Sequence, residues 1–250
     1  MLSTIADLVL RRDCVCCGRI VDELHKAGAA LGADVCADCM AELSAPWQRW
    51  FPPAATVPVW AAGPYGGPRR TLVISAKDRL RPGAIRLLGR LFDIGLRSGV
   101  ATGLFPDPRV GRVALLPAPT RVSAAKARGG DIVVRAALEA KAVMDTRMVM
   151  RHGGVHKAGV GVFQVGVLRE GAQDSVGLNR QERLANIAAN VRVDPSRAAA
   201  VRRFLAAGTG PSAAVIVDDV CTTGATVSRF AVALAAAGIT VDAVVVIAAA

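Results

Sequence analysis

Apolar residues along this chain fall in two recurring forms, short β-branched runs and longer stretches spaced at helical intervals. The runs at residues 113–117, 191–193, 215–217 and 241–247 are rich in Val, Ile and Leu, the composition of buried strands. Between them lie segments of helical character. Residues 82–99 open with Pro82 in the first turn, and residues 131–144 open with Asp131 as N-cap. Residues 179–189 open with Asn179 and Glu182 at capping-box spacing, and the Ala-rich stretch 228–237 is closed by Gly238. A short amphipathic helix over 1–10 carries Leu2, Ile5, Leu8 and Val9 on one face. Residues 56–61 suit an edge strand, 69–75 a strand-like segment before Lys77, and 121–128 a basic loop. Residues 147–175, rich in glycine, suit short strands bearing a loop. Strands alternating with helices predict an α/β domain with a doubly wound, mostly parallel sheet.

Hydrophobic residues fill 52% of the 250 positions but aromatics only 4%, so the core rests on Ala, Val, Leu and Ile. This length accommodates one sizeable core and a small appendage. The formal net charge of +11 attracts phosphates, nucleotides or nucleic acid. A GC-rich genome also raises arginine content, so charge alone does not select DNA. The most apolar window, 230–250, is interrupted by Gly238 and Asp242 and β-branched over 241–247, which predicts helix, turn and strand and no membrane span. The start of the chain lacks the basic-then-apolar pattern of a secretory leader, so a cytoplasmic location is expected.

Cys14, Cys16 and Cys17 precede Gly18, and Cys36 and Cys39 follow downstream. Two C-x-x-C pairs at this separation predict a structural Zn2+ site of four thiolates, Cys14, Cys17, Cys36 and Cys39, with no open coordination position. Metal binding would supply the folding energy that so small a segment lacks. Cys16 offers a different ligand choice, disulfides are the competing reading, and His25 suits a surface position. Residues 45–58 hold Pro46, Pro52, Pro53 and Pro58 among Trp47, Trp50 and Phe51. They read as a linker whose aromatics seat the module on the next domain, or alternatively as a base-stacking platform.

The chemistry concentrates at residues 215–227. A β-branched strand runs into Asp218 and Asp219, then Cys221, Thr222, Thr223, Gly224, Ala225 and Thr226, and then a helix. Backbone N–H groups and the helix dipole would converge on an anion there. Threonine hydroxyls would add donors, and Gly224 would allow close approach. The carboxylates, acceptors only, suit a diol beside the phosphate. A ribose 5-phosphate satisfies both halves; the plainer alternative is an acidic turn before an N-capped helix.

This segment resembles the PRPP-binding motif of the type I phosphoribosyltransferases, in which two acids hold the ribose hydroxyls and the T-T-G-x-T loop wraps the 5′-phosphate. The whole chain resembles the ComF family of competence-associated phosphoribosyltransferase-like proteins. The matching segments are the cysteine module, Tyr65-Gly66-Gly67 with Lys77, Leu116-Pro117-Ala118-Pro119, Arg128-Gly129-Gly130-Asp131, residues 174–186 and the PRPP motif. The chain departs from the family at Gly130-Asp131 and in the glycine-rich stretch 153–166. The resemblance implies a zinc module and linker over 1–55 and a phosphoribosyltransferase domain over 56–250. It also implies PRPP and Mg2+ as ligands, a catalytic role for Asp218 and Asp219, Lys77 facing the pyrophosphate, and a nucleotide-metabolism or DNA-uptake context. The alternative function is a non-catalytic factor binding single-stranded DNA with the same fold. Arg128 is a candidate phosphate or DNA contact; Arg180 and Arg183, three apart on one helix face, read as partners of Glu182 or other surface acids, with a functional role as the alternative, and His152 and His156 remain without an assigned role.

Overall fold

The computed structural model describes residues 13–21, 35–152, 159–168 and 191–250, with backbone alone over 148–152. The helix expected over 1–10, the capped helix over 179–189 with Arg180 and Arg183, His25 and His156 lie outside the described residues, as does the His152 side chain.

The fold is α/β with a mostly parallel central sheet and a four-cysteine cluster near its start. In chain order the elements are α1 (Ala37–Leu43), β1 (Gln48–Trp50), β2 (Val59–Ala61), α2 (Gly67–Lys77), α3 (Pro82–Ala101) and β3 (Arg112–Pro117). Next come α4 (Val122–Ala127), α5 (Ile132–His152), β4 (Val160–Val162), β5 (Gly166–Leu168) and β6 (Val191–Val193). The chain ends with α6 (Pro195–Ala206), β7 (Ser212–Cys221), α7 (Ala225–Ala236) and β8 (Ala243–Ala249). The six-stranded sheet has the order β1-β2-β8-β7-β3-β4, parallel throughout except for β1, which runs antiparallel along β2. A separate antiparallel pair joins β5 to β6.

Strand alternation sorts the core into two layers. Ala213, Val215 and Val217 of β7 and Val113 and Leu115 of β3 face α2, α3, α5 and the cysteine module. Ala214 and Ile216 of β7 and Ala114 and Leu116 of β3 face α6 and α7. Helices α3 and α5 approach closely because the contact is built from small residues. A Cβ on Gly89 would lie 2.5 Å from the Cβ of Glu139 and 2.7 Å from the Ala136 carbonyl. Buried Asp93 on α3 is held there by Arg147 of α5 at 2.8 and 3.0 Å and by Arg97 one turn on at 3.3 Å.

Several sequence expectations change. Residues 69–75 are helical, inside α2: Pro68 occupies the first turn, and Leu72, Val73 and Ala76 recur at helical spacing and are buried. Lys77 is therefore the last residue of a helix. The basic loop 121–128 contains a short helix, α4, and α5 continues beyond the expected end to His152. Val59–Ala61 is not an edge strand, because Gln48–Trp50, read as linker, covers it as β1.

Candidate functional site

The four cysteines come together where the described ends of the module meet. The Sγ atoms of Cys14, Cys17, Cys36 and Cys39 all lie within 4.8 Å of one another. Cys17 and Cys36 are 3.7 Å apart, close to the edge of about 3.8 Å that a tetrahedron with Zn–S bonds of roughly 2.3 Å requires. Donors already point at the sulfurs: the Cys36 N–H reaches Cys14 at 3.5 Å, and Arg19 reaches Cys17 at 3.5 Å and Cys36 at 3.7 Å. Such bonds offset the surplus negative charge of four thiolates. The donor set fits a structural zinc ion. Cys16, also buried, is outside the four, and its thiol pulls Cys14 down to about 3. All six cysteines are free thiols in this structure.

Among the described residues the module is held against α2 and α3 at three points. Arg81 grips Asp13 with both terminal nitrogens, at 2.8 and 3.0 Å. Arg69 of α2, 3% exposed, donates to the Ala62 carbonyl at 3.1 Å and to Glu42 Oε1 of α1 at 3.3 Å. Trp47 is buried against Gly95, where a Cβ would meet its ring at 2.8 Å. Of the linker aromatics expected to seat the module, Trp47 does so and Phe51 does not, being 76% exposed beneath the Arg49 guanidinium.

Residues 218 and 219 fall within β7, near the carboxyl ends of the strands, and α7 begins at Ala225 after the turn. Gly224 adopts φ 82°, a conformation that costs a side-chain-bearing residue about 1–2 kcal/mol. Asp218, Val220 and residues 221–227 enclose a small hollow. Asp218 also lines a second hollow with Lys77, Thr120, Arg128 and Asp131. Asp131 caps α5, its Oδ1 accepting from the N–H groups of Val133 and Val134 at 2.9 and 3.3 Å.

Asp219 is buried and ion-paired with the Lys77 ammonium. Burial pulls the Lys77 pKa down, but the charges of Asp219 and Asp218 outweigh it, so the ammonium is held above its ordinary value. Asp218 accepts from the Asp219 N–H at 2.8 Å. Burial first, and the neighbouring Asp219 charge second, push the Asp218 carboxyl well above the usual range, with Lys77 opposing. Burial also raises the Cys221 thiol to about 12, which leaves it a neutral lining group and no nucleophile.

Two elements escaped sequence reasoning. Ser228 in the first turn of α7 and residues 54–56 beside the loop are hydrogen-bonded to one another across 172 positions of sequence, a separation no local pattern signals. Among the described residues, two cavities roomier than these hollows lie at the amino ends of β3 and β4. One is mostly apolar, lined by Leu96, Val100, Phe105, Val113, Met144 and Val160, and the other carries Arg109, Arg112 and Lys141. Neither includes any of the predicted site residues, and ligands of open α/β sheets bind at the opposite, carboxyl end.

No family model matches this chain, and no curated protein matches it. Among the described residues no helix is long and apolar enough to cross a membrane.

Proposed function

We propose that this chain is a ComF-like protein of the type I phosphoribosyltransferase kind that binds PRPP with Mg2+ at residues 218–226. The observation that carries this reading is the strand–loop–helix itself. Two carboxylates, one half-buried and one buried, precede a Thr-Thr-Gly-Ala-Thr turn at the carboxyl end of a central parallel strand. Residues 1–55 then form the zinc module and linker, and 56–250 the phosphoribosyltransferase-like domain.

In this reading the loop amides and the hydroxyls of Thr222, Thr223 and Thr226 receive the 5′-phosphate. Asp218, with Cys221 and Ala225 beside it, faces the ribose hydroxyls as an acceptor. Asp219 keeps Lys77 charged at the adjoining hollow, where Arg128 adds a second cation toward the pyrophosphate. One or two carboxylates plus substrate phosphates and several waters are the usual surroundings of Mg2+, so Asp218 fits as its protein contact. Mg2+ would supply positive charge to the departing pyrophosphate. Asp218 orients the ribose and, with the buried charge of Asp219 behind it, stabilises positive charge developing at C1 as a glycosyl acceptor attacks. The context is nucleotide metabolism or DNA uptake. Calorimetric titration with PRPP tests the reading: the account requires binding that depends on Mg2+ and is competed by ribose 5-phosphate.

A second reading, single-stranded DNA binding without catalysis, draws on exposed Phe51 with the Arg49 guanidinium 5.2 Å from its ring centre and on the net charge of +11. That binding would weaken steeply with salt and would not need Mg2+.

A further inference from the structure

The stretch between β1 and β2 lies against the phosphate-loop candidate and is tied to it at both ends. The Ala54 N–H donates to the Thr223 carbonyl at 2.8 Å. The Ser228 hydroxyl donates to the Ala54 carbonyl at 2.6 Å and accepts from the Thr56 N–H at 2.9 Å. Between these bonds Ala55 fills the space above Gly224, where a Cβ would come within 2.9 Å of both the Ala55 nitrogen and its Cβ. Ser228 is 8% exposed, so both of its bonds are made away from water.

We propose that residues 54–56 and Ser228 form a strap that sets the direction of the loop amides, with Ser228 as a positioning residue for phosphate binding. In a trans peptide the C=O and the following N–H point in opposite directions. Holding the Thr223 carbonyl on the Ala54 side therefore turns the Gly224 N–H away from the strap and toward the hollow of residues 221–226, where it meets the Cys221 thiol in the wall. Without the strap the peptide is free to flip, and the carbonyl oxygen, which repels an anion, would visit the hollow. The left-handed Gly224 fits the same arrangement, since any side chain there meets Ala55. The strap also gives the N-terminal module a route to the loop: Trp47 is seated on α3, β1 follows at once, and the strap begins four residues after β1 ends. A hydroxyl that bridges two backbone groups of another segment does more than fill space in a helix, and alanine in its place would leave the Ala54 carbonyl and Thr56 N–H unpaired.

The inference rests on the ribose-phosphate reading for its ligand, but the strap itself is testable without one. Ser228→Ala and Ser228→Thr are compared with wild type by amide hydrogen exchange over residues 222–226 and by calorimetric titration with ribose 5-phosphate. Ser228→Ala is expected to keep its zinc content and cooperative melt, to raise exchange in the loop, and to weaken ribose 5-phosphate by about tenfold. Ser228→Thr, which keeps the hydroxyl, is expected to restore both. Unchanged loop exchange in Ser228→Ala overturns the strap, whatever the ligand does. Faster exchange with no binding by wild type leaves the strap standing and removes the ribose-phosphate reading instead.

Discussion

Lys77, the last residue of α2, is ion-paired with Asp219 of β7, joining the helix clamped to the cysteine module with the central strand that carries the candidate site. Asp219 has no room to shed its charge to water, since its side chain is 5% exposed, whereas that of Lys77 is 33% exposed. Lys77→Met removes the partner and strands a buried carboxylate. The expected loss is about 2 kcal/mol, below the usual range for buried pairs because Lys77 retains some solvent. In a chain of this size that lowers the melting midpoint by roughly 4–8 °C at pH 7. Combining Lys77→Met with Asp219→Asn should recover much of the loss, and a scanning melt of the two variants and the pair measures the coupling.

Asp218 bears the opposite cost. Its folded-state pKa is raised, so ionisation is disfavoured in the native protein, and above that pKa the charge subtracts from stability. Asp218→Asn should therefore melt higher than wild type at pH 7–8. The gain should disappear as pH falls below the unfolded carboxyl value of about 3.9, where Asp is neutral in both states. Melts across pH check the sign.

Gly224→Ala should weaken the loop twice over. The φ of 82° costs about 1–2 kcal/mol with a Cβ, and the new methyl collides with Ala55. Adding Ala55→Gly removes the methyl–methyl contact but not the backbone strain. The double variant should recover part of the lost stability, as read by chemical denaturation.

The cysteine cluster predicts one zinc per chain by elemental analysis. Cys17→Ser or Cys36→Ser should lose the metal and lower the melting midpoint. Cys16→Ser should keep it, because Cys16 is outside the four-sulfur set. Chelator should destabilise wild type and have little effect on the first two variants.

The sequence made the strands of the central sheet legible wherever they are buried on both faces, as at residues 215–217 and 243–247, because apolar runs there are continuous. The cysteine set was legible from its two C-x-x-C pairs, with Cys16 left as an alternative that the folded chain places outside the four. Helix α2 was hidden because Thr71, Val73 and Ile74 carry strand-like side chains, while the helical spacing of Leu72, Val73 and Ala76 spans little more than one turn. Strand β1 was masked by the prolines on either side. At the site, the acids and threonines were visible as a local pattern. The Lys77–Asp219 pair and the Ser228 strap were not, because each joins residues more than a hundred positions apart, and only the folded chain brings them together.

The central claim is that residues 218–226 hold a ribose phosphate. It is tested most directly by calorimetric titration of PRPP with Mg2+ into zinc-loaded wild type and into a variant carrying both Asp218→Asn and Asp219→Asn. The account predicts saturable, Mg2+-dependent binding by wild type that the folded double variant loses. Folded wild type that takes up no PRPP, or a double variant that binds as tightly, would contradict it.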